Sequence, residues 1–168
     1  MHDLLNKRTV VSTLPTPTGT EGGPVAFTST GDKFIFTPAM PCDVYRWGLI
    51  TDALLDVGAG FTIALDWRPT AGSDTNRAQK DTIVKTADVA AGQVLYSEAV
   101  GAVAQATGSD GSLVDVAPAG PVEVDPGEEL VIEVTDAADT AGTGYVWIEY
   151  VEKPLAGSRA GNATNVNA

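Results

Sequence analysis

A two-residue alternation of apolar and polar side chains is the feature that most constrains the fold of this chain. It is clearest over the eight residues 61–68. Large apolar side chains occupy every second position there: Phe61, Ile63, Leu65 and Trp67. Because successive side chains of a strand point to opposite faces, this pattern predicts an antiparallel strand with one face buried.

The same alternation recurs along the chain, between segments rich in Gly, Pro, Asp and Thr. Further strands are predicted at residues 24–28, 33–37, 43–51, 82–86, 93–97, 121–124, 129–134 and 145–151. Residues 52–57 are predicted to be a strand or loop, and the Ala/Val-rich residues 98–106 a short helix. Seven to nine short strands separated by turn signals predict an all-β fold, an antiparallel, jelly-roll-like β-sandwich.

The alternation also assigns a core and one turn. The side chains predicted to be buried are Phe36, Trp47, Phe61, Ile63, Leu65, Leu130, Ile132, Val134 and Ile148. In Asp125-Pro126-Gly127, proline sets φ at the second position and glycine accepts the positive φ that follows. This tripeptide therefore predicts a tight turn.

The length of 168 residues favours one domain, predicted over residues 25–153. Residues 1–24 are predicted to be an extended N-terminal arm, because X-Pro steps hold the chain extended and glycines then loosen it. The arm is either a disordered leader or a segment that orders only against a partner; the second reading rests on its apolar side chains, Leu4, Leu5, Val10, Val11 and Leu14. Residues 154–168, rich in Gly, Ala, Ser and Asn, are predicted to be a flexible tail.

The residue inventory restricts the possible chemistry. The chain has one histidine, His2, and one cysteine, Cys42. A Ser-His-Asp triad, a Cys-His pair, a Cys/His zinc site and an internal disulfide therefore lack their parts. We expect no catalysis, no cofactor and no metal.

Carboxylates are the remaining candidates for chemistry. Asp52 and Asp56 flank one loop, and Asp136 and Asp139 lie in another. Two carboxylates a few ångströms apart could hydrolyse a glycoside, and residues 136–140 are a weak Ca²⁺ candidate. Solvated loop acids are the favoured interpretation.

Charge and hydropathy argue against two classes of partner. The chain carries 22 acidic and 10 basic residues, for a net charge of −12. A nucleic-acid binder normally needs a basic stripe, and none is present. No apolar run approaches the roughly 20 residues of a membrane helix, and the first eight residues lack the apolar region of a secretory signal. We therefore expect neither nucleic-acid nor membrane binding.

The last predicted strand carries two aromatic residues that need an explanation. Tyr145 and Trp147 share a face with Glu149, so that face is expected to be partly wet. Three interpretations remain open for the pair: a sugar-binding platform, a subunit interface, or ordinary core.

Taken together, these features resemble the decoration (cement) proteins of tailed-bacteriophage capsids. The resemblance rests on a small acidic β-sandwich with a Pro/Thr/Gly-rich arm. It also rests on residues 122–134, VEVDPGEELVIEV, which are similar to the penultimate hairpin of phage jelly rolls, and on the loop AGTG at 141–144 before a closing aromatic strand. It spans roughly residues 25–153.

That resemblance implies a structural virion protein on the outer surface of a phage head. Its partner would be the major capsid protein, and the chain would be a homo-oligomer, with a trimer favoured. It would be made in the host cytoplasm and would stabilise junctions between capsid subunits. The alternative is a carbohydrate-recognising β-sandwich module of a virion fibre or surface protein. A carboxylate enzyme is a third, less favoured class.

Overall fold

The computed structural model describes residues 7–11, 23–97 and 121–153. Within these ranges all the regular secondary structure is β, and no helix is long and apolar enough to cross a bilayer. The strands are β1 (Lys7–Val11), β2 (Val25–Ala26), β3 (Gly31–Phe36), β4 (Cys42–Thr51), β5 (Phe61–Arg68), β6 (Ala78–Lys85), β7 (Val94–Ser97), β8 (Val122–Val124), β9 (Glu129–Asp136) and β10 (Thr143–Glu152).

These strands form two antiparallel sheets. The first, six-stranded sheet runs β1-β10-β4-β7, with β2 also on β10 and β8 also on β4. The second, four-stranded sheet runs β3-β9-β5-β6. When β1 and β8 are left out, the first sheet has the strand order β2-β10-β4-β7. Together with the order β3-β9-β5-β6 of the second sheet, this is the connectivity of a jelly roll. The prediction of an all-β, jelly-roll-like sandwich is confirmed, and the described residues form ten strands where seven to nine were predicted.

The hydrophobic core fills the space between the sheets. All nine side chains predicted to be buried are buried, from Phe36 at 7% exposed to Trp47 and Leu65 at 0%. Each comes from an inward position of β3, β4, β5, β9 or β10, so the two-residue period assigned these nine side chains to the correct face.

A β-bulge interrupts the alternation in β4. Along β10, Glu149 pairs with Arg46 and the next residue, Tyr150, pairs with Val44, so Tyr45 is the extra residue of the bulge. The extra residue reverses the facing on either side of it. Val44 and Trp47 are therefore both buried in the core, whereas unbroken alternation over residues 43–51 predicts that Tyr45, Trp47 and Leu49 share one face and Val44 lies on the other. That part of the prediction is wrong.

The segment 122–134 is a corner between the sheets and not a hairpin. β8 pairs with β4 in the first sheet, whereas β9 pairs with β3 and β5 in the second. The predicted turn joins them: Glu128 N–H donates to the Asp125 carbonyl at 3.0 Å, and Gly127 has φ 96°. The turn is confirmed, but the interpretation of this segment as a hairpin is wrong, because β8 and β9 pair with strands distant in sequence.

Two other local predictions have different outcomes. Residues 52–60 form a loop, which a single bridge between Leu55 and Val89 fastens to the β6–β7 connection. The helix predicted at 98–106 lies outside the described residues. The division into arm, sandwich and tail stays a prediction.

Candidate docking surface

The outer face of the first sheet brings three aromatic side chains together around a glycine. Tyr145 and Trp147 of β10 lie opposite Ile50 and Gly48 of β4, which lie opposite Val94 and Tyr96 of β7. Directly opposed residues share a face, and the intervening Leu49 and Val146 are buried in the core. We call the side chains of Ile50, Val94, Tyr96, Tyr145 and Trp147 the aromatic face.

Gly48 sets the shape of the aromatic face at its centre. A Cβ at this position would overlap the carbonyl oxygen of Leu95 and lie 2.8 Å from the Cα of Tyr96. The close approach of β7 to β4 therefore requires a residue without a side chain. Gly48 is itself buried, between Trp147 on one neighbouring strand and Tyr96 on the other.

The aromatic face carries exposed apolar side chains. Val94 is 51% exposed and Tyr96 is 38% exposed, and they are two of the three large hydrophobic residues that are exposed in the described parts of the chain. Tyr145 and Trp147 are half-buried on the same side of the sheet. Clustered apolar exposure marks interaction sites more often than scattered apolar residues do.

Charged side chains border this surface at one end. The Arg46 guanidinium lies 6.0 Å from the centre of the Tyr96 ring and 3.9 Å from a Glu149 carboxylate oxygen. Arginine and aromatic residues together are the composition that protein interfaces favour. The border therefore supplies polar groups next to the apolar centre.

The indole N–H of Trp147 has no hydrogen-bond acceptor among the described residues and is shielded from solvent. An unpaired, shielded donor destabilises the protein that carries it.

Of the side chains predicted for interaction, the structure brings Tyr145 and Trp147 together on the outer face. Their interpretation as core is wrong, because Val146 and Ile148 take the inward positions of β10. In the predicted arm, residues 7–11 form β1, in which Val10 lies opposite Ile148 and Val11 opposite Trp147. Leu4, Leu5 and Leu14 lie outside the described residues.

The outer face of the second sheet is closed by an ion-pair network. Arg68 of β5 contacts Asp32 at 2.5 Å, Asp74 at 2.7 Å and Glu129 at 3.5 Å. Arg77 contacts Asp66 at 2.6 Å and Asp32 at 3.0 Å, and it also pairs with Glu133. The loop 69–77 therefore folds back over the sheet.

This covering loop explains a difference from the sequence pattern. Asp66 and Arg68 occupy outward positions of β5 and yet are only 7% and 5% exposed. Trp67, an inward position, is half-buried at the sandwich edge, where its indole N–H donates to Glu128 at 3.0 Å. The network makes this side of the molecule a closed polar surface.

The acidic loops flagged in the sequence meet at one end of the sandwich. The Asp56 carbonyl accepts the Asp139 N–H at 2.8 Å, and the Asp56 carboxylate accepts the Thr140 hydroxyl. Among the described residues, no group of three or more His, Cys, Asp or Glu side chains is arranged to hold a metal ion. Burial raises the pKa of the Cys42 thiol to about 12, which suppresses its nucleophilic thiolate.

Sequence reasoning did not single out Tyr96, Val94 or Gly48. The available signal was Gly48 itself, because a glycine inside a strand often marks a close approach of another backbone. Which backbone approaches depends on the pairing of β4 with β7, whose partners are more than 40 residues apart in the chain.

Comparisons with known proteins leave the family open. No family model matches the sequence, and no curated protein matches it. Among solved structures, the chain is similar to the Eiger TNF of S. frugiperda, at 13% identity and a TM-score of 0.34, over 92% of this chain and 89% of that one. A similarity of this size indicates no shared family or function.

Proposed function

We propose that this protein is a structural virion protein that acts without catalysis. It decorates the outer surface of a phage head as a homo-oligomer, with a trimer favoured, and it stabilises the junctions between subunits of the major capsid protein. The aromatic face is the surface that docks on the capsid. The N-terminal arm contributes contacts between copies.

The exposure of Val94 and Tyr96 is the observation that carries this proposal. Both side chains lie on the outer side of a sheet, next to two half-buried aromatics. Covering such a surface gains about 25 cal/mol for each Å² of apolar area removed from water. Many copies on one particle, each touching more than one subunit, would add their contacts through multivalency.

The net charge of −12 supports an outer position. Packaged DNA repels a strongly acidic protein, whereas acidity favours solubility at a surface that faces water. The closed polar surface of the second sheet, with its Arg68 and Arg77 pairs, suits the side that points away from the capsid.

Co-sedimentation tests the proposal with a matched pair of substitutions. Purified protein is mixed with mature heads that lack it, from the phage that encodes it, and pelleted through a cushion. Val94→Asp places a charge in the aromatic face, whereas Leu54→Asp places the same charge at an equally exposed position outside it, 50% against 51%. We expect Val94→Asp to weaken binding at least tenfold and Leu54→Asp to leave it unchanged.

Two results would overturn the proposal. One is a wild-type protein that stays in the supernatant at every head concentration. The other is an equal loss of binding in both variants, because that would place the docking surface elsewhere. Thermal unfolding of each variant shows that the substitution acts on binding and not on the fold.

Carbohydrate recognition is the second candidate, because three aromatic side chains share one open face. Tyr96, Tyr145 and Trp147 would provide stacking surfaces for sugar rings. A glycan array with wild-type protein and Tyr96→Ala distinguishes the two candidates. Carbohydrate recognition is favoured if the wild-type protein binds a glycan but does not bind phage heads, and if Tyr96→Ala abolishes the glycan binding.

A further inference from the structure

Strands β1 and β2 occupy the same edge of β10 and run in the same direction. Val11, the last residue of β1, lies opposite Trp147, and Val25, the first of β2, lies opposite Gly144. Only two residues of β10 separate these partners. A connection of only two residues would therefore be enough to join Val11 to Val25 and make β1 and β2 one continuous edge strand. The distance along the strand from Val11 to Val25 would then be about 10 Å.

The chain has thirteen residues at this point, residues 12–24. A chain of that length spans up to roughly 40 Å when extended. The connection is thus about four times longer than the intrachain pairing needs. A linker that long also allows β1 to reach the β10 edge of a neighbouring copy.

The pairing itself is the same within one chain and between two. β1 contributes a five-residue antiparallel ladder from Lys7 opposite Val151 to Val11 opposite Trp147. It borders the aromatic face, because Val11 and Trp147 are opposed. A neighbour's β1 would make the same ladder, so exchange costs no backbone hydrogen bond.

We propose that β1 is an exchangeable strand, which pairs with β10 of a second copy when copies are held side by side. Intrachain pairing has an effective concentration in the millimolar range, set by the linker. Exchange therefore stays a minor state in dilute protein and increases as copies become concentrated, as on an assembled surface. This inference rests on the homo-oligomer of the proposed function and does not depend on what the oligomer binds.

Disulfide trapping tests the exchange in purified full-length protein without phage heads. Thr9 and Glu149 are directly opposed, and opposed residues of antiparallel strands have the Cα separation of a disulfide. One copy carries Thr9→Cys and a differently tagged copy carries Glu149→Cys, both with Cys42→Ser. The mixture is oxidised at concentrations from about 10 µM to about 1 mM, up to the effective concentration of the linker.

We expect a cross-linked heterodimer whose yield rises with concentration. It should exceed at least fivefold the yield with a mismatched partner, Gln79→Cys, an exposed position on β6 of the other sheet. Deleting residues 13–23 from the Thr9→Cys copy leaves the two-residue connection and should lower the heterodimer at least tenfold. The double variant Thr9→Cys/Glu149→Cys with this deletion should still close its intrachain disulfide, which shows that β1 remains paired.

The proposal is overturned if the heterodimer does not exceed the mismatched pair at the highest concentration. It is also overturned if the deletion leaves its yield unchanged. Because no capsid is present, neither result bears on docking through the aromatic face. Loss of head binding without loss of exchange would contradict the proposed function alone.

Discussion

The Trp47 indole N–H donates to a carboxylate oxygen of Asp81 at 2.8 Å, and this hydrogen bond joins the two sheets through the core. Trp47 lies in β4 of the first sheet and is 0% exposed, and Asp81 lies in β6 of the second and is 2% exposed. The other Asp81 oxygen accepts the N–H of Thr82 at 2.8 Å. Asp81 thus holds an inter-sheet contact at the expense of burying a carboxylate.

We predict that Asp81 makes stability depend on pH. Burial raises its pKa above the ordinary value, and hydrogen bonds from Ser97, Trp47 and Thr82 only partly oppose this. The pKa of Asp81 in the unfolded chain is near 3.9, and its pKa in the folded protein is higher. As the pH rises from about 3.9 through the folded pKa, the unfolded state loses this proton more readily, and the free energy of unfolding falls. The stability that Asp81 contributes is therefore greatest at acid pH and falls toward neutrality.

Urea unfolding of wild type and Asp81→Asn, from about pH 4.5 to about pH 7.5, measures this dependence. The unfolding free energy of wild type minus that of Asp81→Asn should fall as pH rises. Asp52→Asn, at an exposed loop acid, is the control for removing one charge. A difference between wild type and Asp81→Asn that stays constant over this range would contradict the assignment.

Leu65→Ala should lower the unfolding free energy by about 2–4 kcal/mol, through lost burial and the cavity left behind. Leu65 is 0% exposed, at the centre of β5. Leu54→Ala makes the same chemical change at a side chain that is 50% exposed and should cost less than about 0.5 kcal/mol. Equal losses in chemical denaturation would show that Leu65 lies outside the core.

Arg68→Ala should cost about 2–3 kcal/mol and release the loop 69–77. The Arg68 side chain is 7% exposed, and its loss removes the only arginine that contacts Glu129 among the described residues, a carboxylate that is itself 10% exposed. Asp32 and Asp74 lose one of their two arginine partners and keep Arg77. Arg46→Ala is the matched control, because Arg46 is 42% exposed and makes a 3.9 Å pair. It should cost less than about 1 kcal/mol.

Limited proteolysis provides a second measurement for this pair of arginines. Cleavage within 69–77 should accelerate in Arg68→Ala and stay at the wild-type rate in Arg46→Ala. Unchanged cleavage in both would mean that Gly72, whose N–H donates to Glu129 at 2.9 Å, and the rest of the loop hold it without the guanidinium.

Gly48→Ala should destabilise the protein by about 1–3 kcal/mol, because the added methyl group meets backbone atoms of Leu95 and Tyr96 that cannot move independently. Gly60→Ala meets only a carboxylate oxygen of Asp136, at 3.2 Å, and should be mild. Amide hydrogen exchange locates the effect: protection should fall in β7 first. Equal protection in both variants would contradict the close approach of β7 to β4.

The two-residue period predicted the faces of most strands correctly, because side-chain alternation is a property of the strand itself. Leu65, Ile132 and Ile148 are buried as their positions in the pattern predicted. The period fails at Tyr45, where β10 pairs around an extra residue. It also does not predict that the outward Asp66 and Arg68 are buried, because the alternation within β5 does not show that the loop that follows it, residues 69–77, folds back over the sheet.

The candidate docking surface was predictable only in part. Tyr145 and Trp147 stand out as aromatics beside Glu149, in one stretch of sequence. Tyr96 joins them through Gly48 of β4, which precedes Tyr96 by 48 residues and Trp147 by 99 residues. No local pattern contains that relationship.

The sequence by itself determined an all-β chain, the inward faces of its strands, and the turn at Asp125–Glu128, because each depends on neighbouring residues alone. Only the tertiary structure decided that β8 and β9 belong to different sheets, that Asp81 reaches Trp47 across the core, and that Gly48 brings Tyr96 beside Trp147. These relationships arise from pairing and packing between distant segments. Chain connectivity and the burial of whole faces select them, and local propensity does not.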